Sequence, residues 1–270
     1  MNIAIISSKA DTASMNIRHA LLDSAEWQEQ GTFQDNPVYT LPGNNIRLYT
    51  IGQKHILAEN LDKQIRADLF VFVSKHRAEE GRQGFTSHII GNWGRAEFGG
   101  REKALVQGPA LYVKALLKEL EETNTGNYDI AQEATHHGPY LDKPAFFAEI
   151  GSNEEHWPNP ELGRTMAETL LKILTNPVRE GKTIVALGGP HYLPNFTAKL
   201  EHTEYAVGHA CPKHSISGLT KELLQQAIDR TIPRPEMVLL DWKGLGPNKD
   251  LIRKLTEACP VPVERLERFR

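Results

Sequence analysis

Five apolar runs each end in a polar segment, and most of these segments carry histidine. Val71-Phe72-Val73 leads into Ser74-Lys75-His76-Arg77, and Ile130-Ala131-Gln132-Glu133-Ala134 into Thr135-His136-His137-Gly138-Pro139. Phe146-Phe147-Ala148 runs into Glu149-Ile150-Gly151-Ser152. Ile184-Val185-Ala186-Leu187 stops at Gly188-Gly189-Pro190-His191-Tyr192, and Ala206-Val207 meets Gly208-His209 ahead of Pro212-Lys213-His214. Three chemistries could use these side chains. Imidazoles with a carboxylate can hold zinc in an open site that keeps one coordination position for water. A histidine that titrates near neutrality can move a proton. Lys75, Arg77 and Lys213 offer the charge and donors that bind phosphate.

No spacing here is diagnostic alone: HExxH, GxSxG and a P-loop are all absent. Adjacent His136 and His137 are expected to point to opposite sides of an extended segment. Gly188-Gly189-Pro190-His191 could equally be a turn. Any one of these histidines alone would be read as a structural imidazole. Their recurrence at the ends of apolar strands argues otherwise, because ligands of open α/β sheets bind at the C-terminal strand edge. The neighbouring glycines let a ligand approach the backbone closely.

The elements that must position these residues are short. Length, flanking turns and β-branched content predict strands at Asn2–Ile6, Ile46–Ile51, Asp68–Val73, Asp129–Ala134, Ala145–Ile150, Thr183–Leu187, Glu204–Val207 and Met237–Leu240. Helical periods predict Pro109–Glu122, Glu161–Thr175, Thr220–Asp229 and Asn248–Glu257. Residues 24–45 and 84–103 are expected to be long connections. The alternation implies a three-layer α/β domain with a parallel or mixed sheet, and residues 1–270 are read as one domain.

With 40% hydrophobic residues in 270, the chain can bury a core without disulfides or a structural metal. Two cysteines, Cys211 and Cys259, form neither a framework nor a zinc ribbon. A net charge of −3 excludes a generally basic coat. From Lys63 to Lys103, however, eight basic residues face five acidic ones, Glu79, Glu80 and Arg82 among them. No apolar run approaches a membrane span and no signal peptide is apparent, so a cytoplasmic protein is expected.

In order, these segments are similar to a known family. Ser74-Lys75-His76-Arg77, Gly91-Asn92-Trp93-Gly94 with Gly99-Gly100, and Glu133-Ala134-Thr135-His136-His137-Gly138-Pro139 open the signature. It continues through Glu149-Ile150-Gly151-Ser152 with Trp157, Gly188-Gly189 with His191-Tyr192, Gly208-His209 with Pro212-Lys213, and Leu240-Asp241-Trp242-Lys243-Gly244. The set resembles the D-aminoacyl-tRNA deacylases of the archaeal and plant type. It departs at Tyr140, where a small hydroxyl residue is common, and at Asn195, where a basic one is.

The resemblance implies hydrolysis of the ester of D-aminoacyl-tRNA, a zinc requirement of two ions per subunit, and a fold related to phosphorylases and peptidyl-tRNA hydrolases. With that reaction in view, His136, His191 and His209 are the expected metal ligands, with His137 a weaker fourth or a catalytic participant. His76 or Glu149 is the expected general base or partner of a ligand. Lys75, Arg77 and Lys213 are expected to hold the terminal phosphates of tRNA, with no obligate protein partner. The rival readings are a nucleoside phosphorylase, a non-catalytic tRNA-binding protein and a zinc aminopeptidase.

Overall fold

A computed structural model of the chain describes residues 1–78, 83–126, 128–178 and 180–269. Glu79, Glu80 and Arg82 of the basic stretch lie outside them. In chain order come β1 (Ile3–Ser8), α1 (Thr12–Asp23), β2 (Gln28–Phe33), β3 (Asn36–Leu41), β4 (Ile46–Ile51) and β5 (Leu69–Lys75). Next are β6 (Gly84–Ile89), β7 (Gly91–Asn92), β8 (Ala104–Leu105), β9 (Gly108–Pro109) and α2 (Ala110–Thr123). Then follow β10 (Asp129–Gln132), β11 (Ala145–Gly151), α3 (Pro160–Thr175), β12 (Lys182–Leu187), α4 (Pro194–Leu200) and β13 (Tyr205–Cys211). The chain closes with α5 (Lys221–Arg230), β14 (Thr231–Ile232), β15 (Met237–Leu240), α6 (Lys249–Thr256) and β16 (Val263–Arg265).

Two sheets carry the fold. An eight-stranded mixed sheet runs β10-β6-β11-β5-β1-β4-β3-β2, with β11 antiparallel to β6 and parallel to β5. Its central strands are apolar on both faces because both faces are covered. Ile3, Ile5, Val71 and Phe146 pack under α1, α2 and α3. Ala4, Ile6, Phe72 and Phe147 face Ala58, Leu61 and Leu141 on the other side. That second face carries the 3₁₀ turns His55–Leu57 and Leu61–Lys63, so helices layer only one side of this sheet among the described residues.

The smaller sheet, β13-β12-β15-β16, is parallel throughout. Val185, Leu187, Val238 and Leu240 bury against α5 and α6, while Ile184, Ala186 and Leu239 bury against Phe196 and Leu200 of α4. This sheet is the one with helices on both sides. The two sheets meet through the β9–β14 pair and through the loop after β10. That loop is clamped: Thr135 N donates to Ala210 O at 3.1 Å, and Ala134 N to His191 O at 2.7 Å.

The expected connection 24–45 is instead a β2–β3 hairpin that extends the large sheet, and 84–103 contains the inner strand β6. Helix α1 was not expected, and β13 runs through Gly208 to Cys211. A Cβ at Gly208 would stand 2.3 Å from the Thr231 side chain, so this glycine permits close packing and does not end the strand. Among the described residues, no helix is long and apolar enough to cross a membrane.

Candidate active site and metal centre

β5, β6 and β11 of the large sheet, the loop after β10, and the end of β12 deliver one cluster of side chains. Glu149 on β11 stands level with Ser74 of β5 on one side and Thr86 of β6 on the other. Thr86 donates to its Oε2 at 3.3 Å. His88, further along β6, stacks on Phe147 with ring centroids 5.0 Å apart. The loop supplies Glu133, His136 and His137, and β12 leads to His191. His76 follows β5 directly. Asp11, the N-cap of α1, fixes that strand end by accepting from Ser74 Oγ and Lys75 N, each at 3.1 Å.

The histidines at the bottom of the cluster share one arrangement. Nδ1 of His88 contacts Ile89 O at 3.2 Å, Nδ1 of His136 contacts Ala134 O at 2.8 Å, and Nδ1 of His137 contacts Gly138 O at 2.6 Å. A carbonyl only accepts, so each Nδ1 carries the proton and each Nε2 keeps its lone pair. The three rings each bring a nitrogen within 4.8 Å of the others'. Nε2 of His88 is buried without a hydrogen-bond partner. Three neutral imidazoles with nitrogens this close, one of them with an orphaned Nε2, fit a divalent ion with an open position. His137 has φ 39°, and this turn of the backbone puts it on the same side as His136, against the expectation for an extended pair.

Burial keeps these rings neutral, the form that binds metal. It pushes His88 well below the usual imidazole range, helped by His136 and His137. It likewise brings His136 to about 4 and His137 to about 3.

Above them sit two carboxylates of opposite character. Burial works against the charge of Glu133, but the hydrogen bond from His191 and the close imidazoles of His76 and His136 outweigh it and hold this carboxyl well below the usual range. His191 Nε2 lies 2.8 Å from Glu133 Oε2. His76 Nδ1 lies 3.1 Å from Glu133 Oε1 but off the hydrogen-bond direction, and that oxygen has no well-aimed donor. Glu149 is pushed well above the usual range by burial first, then by the charges of Glu133 and Asp11. Its surroundings therefore favour the neutral acid beside an ionised neighbour. Glu133 with His136 and His191, and His76 with Glu133 and Glu149, form two further groups with metal-ligand spacing.

The expected set is only partly brought together. His76, His136, His137, Glu149 and His191 converge. His209 does not: it is fully buried, its Nε2 donates to Val106 O at 2.8 Å, and its Nδ1 accepts from Thr135 Oγ at 3.2 Å. With both nitrogens engaged it braces the loop that carries His136, and it belongs to no group with metal-ligand spacing among the described residues. Lys75 Nζ and the Arg77 guanidinium lie 4.5 and 4.9 Å from the Trp157 ring, and Trp157 Nε1 donates to His76 O. Lys213 is exposed, and its N donates to Gly189 O at 2.9 Å in the loop that carries His191. Asn195 donates to Asp241, and the Tyr140 ring lies under Arg101.

His88 and Glu133 stand in the cluster, and Asp11 and Tyr192 contact its edge, none of them an expected site residue. Tyr192 Oη contacts His76 Nε2 at 2.8 Å. Glu133 had a signal, a buried-strand carboxylate three residues before a histidine; His88 had only the β-rich run Phe85-Thr86-Ser87-His88-Ile89-Ile90.

A mixed α/β fold with imidazoles and carboxylates gathered at its strand ends defines an α/β protein with a metal-capable polar centre. Residues 63–264 match the model of the D-aminoacyl-tRNA deacylase family, and the chain belongs to that family. It is 36% identical to the D-aminoacyl-tRNA deacylase of Thermococcus kodakarensis, over 94% of this chain and 96% of that one. The Thermococcus onnurineus protein of the same name is 38% identical at the same coverage. A solved protein titled a conserved protein of unknown function, AF0625, is 28% identical with a TM-score of 0.90, covering 98% of this chain and 95% of that one.

Proposed function

We propose that this chain hydrolyses the ester joining a D-amino acid to the 3′ end of tRNA, releasing both, with zinc held by His88, His136 and His137. The family sets the reaction. The observation that carries the site is the convergence of three neutral imidazoles whose Nδ1 protons are all bound to main-chain carbonyls. His191 is left out of the ligand set because its Nε2 is already hydrogen-bonded to Glu133. We also read residues 1–270 as one catalytic unit, since the cluster draws on both sheets. Its phosphorylase-like and peptidyl-tRNA-hydrolase-like character belongs to the same reading, supported by the mixed sheet and its polar strand ends.

An aminoacyl ester is already activated, so the site must position water, stabilise an oxyanion and select the hand of the α-carbon. Zinc at the three imidazoles would supply acidified water and positive charge toward the carbonyl oxygen. The chain's own residues do the rest. Ionised Glu133 favours the proton on Nδ1 of His76, leaving its Nε2 to accept from Tyr192 Oη. When substrate displaces that hydroxyl, His76 Nε2 takes a proton from the attacking water. Neutral Glu149 can give a proton toward the leaving ribose oxygen, a role its charged form could not fill. Lys75, Arg77 and Lys213 hold the phosphates of the acceptor end.

The test pairs metal analysis with turnover of D- and L-tyrosyl-tRNA before chelation, after it and after zinc is restored. The D substrate alone should be cleaved, and only with metal. Equal rates on both hands, or full activity without metal, would sink the reading. Two ions per chain would recruit His76, Glu133 and Glu149 as a second donor set and move His76 from base to ligand.

A further inference from the structure

The C-terminal edge of the smaller sheet continues beyond the catalytic cluster. In register across it, Cys211 of β13, Leu187 of β12, Leu240 of β15 and Arg265 of β16 form one row. Just past that row come Lys213 after β13, His191 after β12, and Trp242 with Lys243 after β15. Neighbouring strands stand roughly 4.8 Å apart, so β16 lies on the order of 10 Å from the strand that leads to His191. Three cations gather on the Trp242 indole. The guanidinium of Arg265 is 4.0 Å from the ring centroid, that of Arg253 is 5.0 Å away, and Lys249 Nζ is 5.7 Å away.

Like charges this close repel, and the acids beside them in sequence offset them only in part. Trp242 to Lys254 contains four basic residues and one acid, Asp250. Asp250 pairs with Arg253 at 2.5 Å. Asp241 is buried and accepts from Asn195 Nδ2 and Gly244 N, each at 2.8 Å, while Glu257, Glu264 and Glu267 further along the chain are exposed. The loop at Gly246 packs so closely on Lys213 that a Cβ there would lie 2.8 Å from Lys213 Cε. Next in the chain, His214 lies 6.5 Å, ring to ring, from His191. A rim bearing Lys213, Lys243 and the three cations on Trp242 therefore lies along this strand edge beside the site.

We propose that this rim is the docking track for the phosphodiester backbone of the tRNA acceptor stem. The inference rests on the deacylase reading for its substrate. Its own grounds are charge complementarity and continuity with the site, since the scissile ester lies at the very end of that stem. Cations held against one indole ring meet phosphates at little further ordering cost. Base identity plays no part, so the track suits an enzyme that takes many tRNAs.

The test is the triple variant Lys249→Gln, Arg253→Gln, Arg265→Gln, which keeps stems over the indole and removes the charge. Three measurements separate the possibilities: turnover of D-tyrosyl-tRNA, turnover of 3′-O-D-tyrosyl-adenosine, and anisotropy of labelled uncharged tRNA against salt. The variant should bind tRNA about tenfold more weakly, with a log–log salt slope shallower by about one per charge lost. It should cleave the tyrosyl-adenosine at the parent rate. Unchanged tRNA affinity and salt slope would overturn the proposal. If the unmodified protein cleaves neither ester, the deacylase reading fails while the binding measurement still decides the track. Should the triple variant not fold, Lys249→Gln alone is read the same way, with a slope change of about one unit.

Discussion

Two buried histidines in this chain look alike in sequence and differ in what their nitrogens do. His88 has one nitrogen bonded to Ile89 O and the other orphaned, whereas His209 has both bonded. Replacing each with alanine should separate their roles. His88→Ala should lose bound zinc and turnover together while keeping most of its thermal stability. His209→Ala should keep a zinc site when folded but lose about 3 kcal/mol, because Val106 O and the Thr135 hydroxyl are left unsatisfied in the interior. Zinc content and thermal midpoint, measured on both, check this; matching losses in the two variants would erase the distinction. His209 also makes a pH prediction. Burial lowers it from 6.5 to about 3, so below pH 6.5 the unfolded chain takes up a proton that the native ring refuses. Stability therefore falls as pH drops from about 6.5 toward 3. His209→Gln should make the fall of denaturant midpoints across that window shallower, the remaining slope coming from the other buried histidines.

At the scale of elements, the site depends on loops packed backbone to backbone. A Cβ on Gly138 would sit 2.1 Å from Gly100 N, 2.4 Å from Gly99 C and 2.7 Å from Ile56 O. None of these can swing aside as a side-chain tip could. Gly138→Ala should therefore displace the neighbouring His137 and weaken zinc binding by about tenfold to a hundredfold, with every ligand side chain still present. Zinc titration of the folded variant reads the loss, and parent-like affinity would show that the loop gives way. The same packing explains what was legible beforehand. Strands such as Leu69–Lys75 and Ala145–Gly151 announce themselves because covered faces demand apolar runs. β6 stays hidden because its buried positions Thr86, Ser87 and His88 are polar and break the apolar run. His76, His136, Glu149 and His191 could be found from their strand ends. His88 could not, since its role depends on β6 lying beside β11, a pairing set by topology and not by neighbours in sequence. Helix α1 was readable in principle from Asp11 at its N-cap and the spacing of Ala13, Ile17 and Leu21.

Across the whole molecule, the proposed zinc would join parts that belong to different sheets. His88 comes from β6 of the large sheet. His136 and His137 come from a loop that exchanges hydrogen bonds with β13 of the small one: Thr135 N to Ala210 O and Ala210 N to Thr135 Oγ, both at 3.1 Å. An ion holding all three rings would fasten β6 to that loop and, through it, to β13. Binding to the native state alone adds about 4 kcal/mol when zinc is present at a thousand times its dissociation constant. For a chain of this size that raises the unfolding midpoint by roughly 10 °C. Zinc should also slow amide exchange at Thr135 and Ala210, which no ligand nitrogen touches but which join the two sheets. His88→Ala serves as the control, because it removes one anchor and leaves the loop–β13 bonds in place. In that variant, zinc should produce neither the rise in midpoint nor the added protection. The parent protein melting at the same temperature with chelator and with zinc would show that these histidines hold no ion. A rise undiminished in His88→Ala would place the ion elsewhere, and the Glu133, His136 and His191 group would then be the donor set to examine.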